Sequence, residues 1–201
     1  MKKIFLFLLI AVSTITSAQV ITIKHTAYEI RFDTQIKEPL YTHYVLNKTM
    51  LNGSFDRTSF TPDPLVKREL QGSAKDYKNS VYDKGHLAPN DDFRANETTQ
   101  LESMVYTNCA PQNKYLNRGT WKALEIYTRN LANHFDVEIW TGCIYEGSKE
   151  HLGKLLVPTY YWKLIKYNGI YQAYKIPNVT PKSKNFTDYK ISSDELLKLI
   201  N

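Results

Sequence analysis

The run Tyr82-Asp83-Lys84-Gly85-His86-Leu87-Ala88-Pro89 sets a histidine directly after a glycine and three residues after a carboxylate. A neutral imidazole can take a proton from water near neutral pH, so His86 is a candidate general base. Gly85 permits close backbone approach or an unusual dihedral, and Pro89 stiffens the exit. Asp83 could fix the ring or its loop. Standing alone, a histidine in a loop reads as a surface or structural residue. A second group lies downstream: Asn117, Trp121, Glu125 and Arg129 are spaced by four. On an α-helix that spacing stacks an amide, a carboxylate and a guanidinium along one side. The plainer reading of that stripe is a solvated face with a Glu125–Arg129 ion pair.

The elements that must position these residues follow from periodicity and turn signals. Residues 41–46 (YTHYVL) and 137–144 (VEIWTGCI) have the β-branched and aromatic enrichment of strands. Residues 159–167 and 170–176 predict a hairpin around Asn168-Gly169. Asn52-Gly53 and Asp63-Pro64 mark loops, and residues 106–112 look like a strand running into a turn. A helix is predicted over 117–134, with Leu124, Tyr127 and Leu131 as its apolar face. A shorter one is predicted over 193–199, capped by Ser192 or Ser193, with Asp194 and Glu195 in its first turn. The sum is an α+β chain: a mixed or antiparallel sheet carrying helices.

Three stretches then stand in order: Asp83-Lys84-Gly85-His86, Asn108-Cys109-Ala110-Pro111-Gln112, and the run from Asn117 through Trp121 to Glu125. Together they resemble the signature of the DNA/RNA non-specific endonuclease family, which is Asp-Arg-Gly-His, then Asn-x-x-Pro-Gln, then Asn-x-x-x-Trp-x-x-x-Glu. That family includes secreted bacterial nucleases and mitochondrial endonuclease G. The resemblance implies a ββα-metal core, in which two antiparallel strands and a helix grip one divalent ion. It makes His86 the general base, Asn117 the direct protein ligand of the metal, and Glu125 a holder of the water around the ion. Asn108 would position the His86 loop or the attacking water. Arg129 resembles the family's phosphate-side arginine, and Arg57, in Arg57-Thr58-Ser59-Phe60, a second phosphate contact. Lys84 departs from the pattern, since a point charge replaces a bidentate fork.

Phosphodiester hydrolysis needs an attacking hydroxide, charge stabilisation at phosphorus and help for the departing alkoxide. A hard divalent ion serves the last two needs. An amide oxygen and waters suit Mg²⁺, with Mn²⁺ or another divalent ion as substitutes. Contacts to phosphates rather than base edges would make cleavage of DNA and RNA indifferent to sequence. Two other readings are a nucleic-acid-binding module of the same fold without turnover, and an exported interaction domain. The retained His86, Asn117 and Glu125 argue against the first, and the ordered match of three motifs argues against the second. An inhibitor protein and a dimer are left open.

Lys2 and Lys3, the apolar stretch 4–12, and Thr16 and Ala18 before Gln19 have the anatomy of a secretory signal peptide over residues 1–18. Its apolar core is shorter than a membrane span, and no later stretch approaches the roughly 20 apolar residues that a span needs. A secreted or periplasmic protein without a membrane partner is expected, with residues 19–201 as one nuclease domain. The 26 Lys+Arg against 20 Asp+Glu give +6, and about +4 once Lys2 and Lys3 are gone, a mild basic excess that suits a polyanionic partner. The 15 Tyr and 3 Trp point to a β-rich, well-packed protein rather than a disordered one. Cys109 and Cys143 are either one disulfide or two buried thiols. His25, His43, His134 and His151 lie outside these motifs and are read as surface or packing residues.

Overall fold

The computed structural model describes residues 20–53 and 55–200, so the expected signal segment, 1–18, lies outside the described residues. Val20–Lys24 (β1), Glu29–Asp33 (β2) and Glu38–Leu46 (β3) form an antiparallel meander. A single turn, Lys48–Leu51 (α1), is capped by the Asn47 side chain, which accepts from the Thr49 N–H. The chain then leaves the sheet. Tyr82–His86 (β4), Glu97–Glu102 (α2), Cys109–Asn113 (β5) and Lys122–Ala132 (α3) follow before it returns as Val137–Ile144 (β6). His151–Leu152 (β7) and Leu155–Leu156 (β8) make a small ribbon. Tyr160–Tyr167 (β9), Ile170–Pro177 (β10), Lys190–Ile191 (β11) and the helix Ser193–Ile200 (α4) complete the chain. The main sheet runs β1-β2-β3-β6-β9-β10-β11, antiparallel throughout.

Alternation along the strands gives this sheet two buried faces. On one, Ile30, Phe32, Tyr44, Leu46, Ile139 and Ile165 pack with Trp121 and Leu124 from the helical segment and with Leu87, Ala88 and Phe93. On the other, Trp162, Leu164 and Ala173 meet Leu196 of α4. Full burial of a side chain such as Leu124 stabilises the fold by about 1.5–3 kcal/mol. Asn168 and Gly169 have φ of 46° and 74°, which makes the β9–β10 connection the tight turn expected of an Asn-Gly pair. Among the described residues, no helix is long and apolar enough to cross a membrane.

Several local expectations change. The Asp83–His86 run is a strand, paired with β5 in the register Lys84↔Pro111, Gly85↔Ala110 and His86↔Cys109. Pro111 is tolerated because each strand of a two-stranded ribbon has an outer edge on which no N–H is required. The stretch around Asn108 reverses the predicted order: a 3₁₀ turn, Tyr106–Asn108, precedes the strand. The predicted helix over 117–134 opens instead with a π-helical turn, Leu116–Trp121, before α3 begins. Cys109 and Cys143 are two free, buried thiols. Burial pushes both up, with the buried Glu38 carboxyl adding to the effect.

Gly85 is needed for close approach. A Cβ placed there would lie 2.4 Å from Oε1 and 2.5 Å from Cβ of Gln112, a fully buried side chain across the ribbon. Gly85→Ala should therefore destabilise the protein by about 1–3 kcal/mol through overpacking, read from the midpoint of chemical denaturation. An unshifted midpoint would show that the ribbon has room to spare.

Candidate active site

β4 delivers His86, and its pleat decides what surrounds it. Residues 84 and 86 face one side of the strand and residue 83 the other. On the first side, the His86 ring packs on Phe60 with centroids 4.6 Å apart, and Lys84 Nζ lies 5.8 Å from the same Phe60 ring and 5.4 Å from Tyr77. His86 Nε2 lies 3.2 Å from Met104 Sδ. Beyond the ring, the chain is clamped by Asn108. Its side-chain oxygen accepts from the Ala88 N–H at 2.9 Å, and its amide donates to the carbonyls of Ala88 and Ser103, both at 2.8 Å. Asn108 is fully buried with these groups satisfied, and its geometry is that of a holder of the His86 segment.

Burial penalises the His86 imidazolium, and the Arg57 guanidinium repels it, so the ring is pushed down to about 3. It is neutral throughout the physiological range, the state a proton acceptor requires. A phosphate drawn to Arg57 would offset that repulsion and make the ring more basic.

The spacing allows Asp83 to fix the His86 ring or its loop. From the opposite face of the strand, it instead accepts from Asn117 Nδ2 at 2.9 Å and from Arg118 Nε and Nη2 at 2.8 and 2.6 Å. Burial would raise the Asp83 carboxyl, but the hydrogen bonds from Arg118 and Asn117 outweigh it and hold the group below the usual carboxylate range. With its nitrogen committed to Asp83, Asn117 keeps Oδ1 as the atom available to a ligand. Asn117, Asp83, Lys84, Arg118 and Arg57 line one cleft of about 480 Å³, and the wall contributed by Phe60 and Met104 is the one His86 packs against.

Asn117 stands in the π-turn with which the helical segment opens. The turn's hydrogen bonding runs from i to i+5, which widens it slightly beyond an α-turn. Leu116 and Trp121 anchor the turn in the core. Glu125 and Arg129 follow on α3 among further charged groups. Arg129 Nη1 donates to Asp92 Oδ1 at 3.0 Å and approaches Asp91 at 4.0 Å, so its carboxylate partners are these two in place of Glu125. Tyr44 donates to Asp92 at 2.7 Å, and the buried Lys163 Nζ donates to Thr141 Oγ1 at 2.7 Å. Burial raises the Glu125 carboxyl, opposed by the Lys163 ammonium, and burial lowers Lys163 in turn.

The structure thus gathers Arg57, Lys84 and Asn117 at one cleft with His86 behind its wall and Asn108 beneath. Glu125 and Arg129 belong to the Asp92–Lys163 cluster. Sequence reasoning missed Arg118, Phe60, Met104, Asp92 and Lys163. Arg118 could have been found from its place beside Asn117, and Lys163 from a charge at a core-facing position in an apolar strand.

The depressed His86 carries a stability signature. Between its folded value of about 3 and its ordinary value of 6.5, the unfolded chain binds a proton that the native state refuses. Its contribution to stability is full above about pH 6.5 and lost as pH falls toward 3. His86→Gln should therefore lose less stability than wild type over that window, as measured by urea midpoints at stepped pH. Parallel decline of the two proteins would show that His86 titrates normally.

Residues 8–201 match the family model described as DNA/RNA non-specific endonuclease. The mitochondrial nuclease EXOG of Danio rerio is 31% identical over 156 residues, which is 70% of this chain and 46% of that protein. A nuclease of Nostoc sp. is 30% identical over 170 residues, 77% of this chain and 62% of that protein. Human mitochondrial endonuclease G is 27% identical over 154 residues, 69% of this chain and 52% of that protein. The chain spans about half the length of the curated relatives it matches. A solved chain from the EndoG/EndoGI inhibition complex superposes with a TM-score of 0.79 at 23% identity, covering 88% of this chain and 82% of that one. The shared fold makes β4, β5 and the helical segment from Leu116 a ββα unit. With all three motifs and the cleft they build inside the matched span, the chain belongs to the DNA/RNA non-specific endonuclease family.

Proposed function

We propose that this protein is an exported, divalent-metal-dependent endonuclease that hydrolyses DNA and RNA with little regard to sequence. The observation that carries this reading is the Asp83–Asn117 hydrogen bond, which commits the amide nitrogen and leaves Oδ1 as a hard oxygen donor on a residue of the basic cleft. Among the described residues, no group of three or more His, Cys, Asp or Glu side chains converges as a metal cage. A lone amide oxygen fits a hydrated ion of the Mg²⁺ kind, which needs few protein ligands. Such an ion, when bound, would neutralise charge on the phosphate and stabilise the leaving oxygen.

The protein's own groups supply the rest. Arg57 and Lys84 draw the phosphate backbone to the cleft, where contacts carry no base information. His86, held neutral, accepts the proton of the attacking water at a ring nitrogen, while Asn108 keeps the ring in place through Ala88. Glu125 as holder of the ion's water and Arg129 as phosphate-side arginine rest on the family resemblance. Export rests on the leader anatomy of residues 1–18.

Purified protein should nick supercoiled plasmid and degrade RNA with Mg²⁺ and fail to do so in excess EDTA; full activity in EDTA would remove the metal from the reading. His86→Ala should lower turnover by about 10²–10⁴-fold, and activity within a few-fold of wild type would sink the base assignment. N-terminal sequencing of the exported protein should start at Gln19, and an intact Met1 would remove the leader.

A further inference from the structure

A second cleft, of about 760 Å³, adjoins the first, and Arg118 lines both. Its floor is made by Gly119 and Ala123, residues without bulk. At its edge stands Tyr115, 59% exposed, with Lys114 Nζ 5.1 Å from the ring centre. An aromatic ring held in water with this exposure buries little of its own surface, so packing against the core does not explain its place.

The facing wall comes from the segment after β10 and contributes Lys184. Hydrogen bonds hold that wall. Thr120 Oγ1 donates to the Ser183 carbonyl at 3.0 Å, and the Ser183 N–H donates to Tyr189 OH at 3.0 Å. Both sides of the cleft are therefore set before any ligand arrives. The charged residues lining it are Lys114, Arg118 and Lys184, all cations. A flat aromatic face, a small-residue floor and cations on both walls match a planar base carried on a phosphate backbone.

We propose that this cleft holds the nucleotide flanking the scissile phosphate, with its base stacked on Tyr115 and its backbone phosphates on Lys114 and Lys184. The inference rests on the nuclease reading above, and it gives the substrate strand a direction of travel, past Arg118 from one cleft into the other. A protein partner in the same cleft is the competing occupant.

Two substrates separate the clefts. Bis(p-nitrophenyl) phosphate offers a phosphodiester without a nucleotide, whereas a single-stranded oligonucleotide of about 12 nucleotides can fill both. Tyr115→Ala should lower the ratio of kcat/KM for the oligonucleotide over the ester by on the order of tenfold, and Tyr115→Phe should keep the wild-type ratio. Gly119→Leu should act like Tyr115→Ala, because a Cβ at Gly119 meets no atom within 4 Å and the added side chain would fill the floor without disturbing the turn. Fluorescence anisotropy of a labelled oligonucleotide in EDTA should show weakened binding for both Tyr115→Ala and Gly119→Leu. Ratios and affinities within twofold of wild type, or an equal fall on both substrates, would overturn the proposal and leave the cleft to a protein partner or to folding. A wild-type protein that hydrolyses neither substrate would overturn the nuclease reading, and the anisotropy comparison would still decide what the cleft binds.

Discussion

Asp83 accepts three hydrogen bonds from two consecutive residues of another element, and the working geometry of the cleft depends on that junction. The two bonds from Arg118 are charge-assisted and short, the strong kind. They tie the β4–β5 ribbon to the start of the helical segment, so that the strand carrying His86 and the turn carrying Asn117 are positioned by one carboxylate. Alternation along β4 sends Asp83 to the helical segment and Lys84 and His86 toward Phe60, while Asp83 and Lys84 both line the cleft. A glycine at 85 lets the ribbon close against Gln112, and Asn108 fixes the exit. Each part of the motif has a mechanical duty before it has a chemical one.

The cleft and the Asp92–Lys163 cluster use charge in opposite ways. Arg57 and Lys84 stand at the cleft and can attract a polyanion over a distance. Asp92, Arg129, Glu125 and Lys163 are gathered where water is scarce, two carboxylates with two cations, and Tyr44 and Thr141 add hydrogen bonds. A group of this kind holds α3 against β3 and β9, and removing one buried partner costs about 3–5 kcal/mol because the other is left uncompensated.

Much of this was legible in the sequence, and what was not has physical reasons. β6 was found to the residue, and the Asn168-Gly169 hairpin and α4 nearly so, because each carries its own local signal. The strand at Asp83–His86 read as a loop because Asp, Lys and Gly are poor strand formers, and pairing with β5 overrides that preference. The π-turn has no periodic signature within six residues, so the helix read as α-helical from Asn117 onward. β1 and β2 went unpredicted although Ile21 and Ile23, then Ile30 and Phe32, alternate as strands do. The Asp92 partner of Arg129 lies 37 residues away and is visible only in three dimensions.

The order of the sheet also governs how the molecule comes into being. β3 and β6 are central neighbours, yet Leu46 pairs with Val137 and Tyr41 with Gly142, and the whole ββα unit lies in the chain between them. Such a pairing must close a very long loop before its contacts can compensate the lost chain entropy, which puts folding in the slow, non-local class. His86 and Asn117 sit within that loop, and the core against which their elements pack includes residues from both of its closing strands. A nascent chain that has not yet synthesised β6 therefore has motifs but no assembled cleft, and the cleft is acquired late, as a property of the closed sheet.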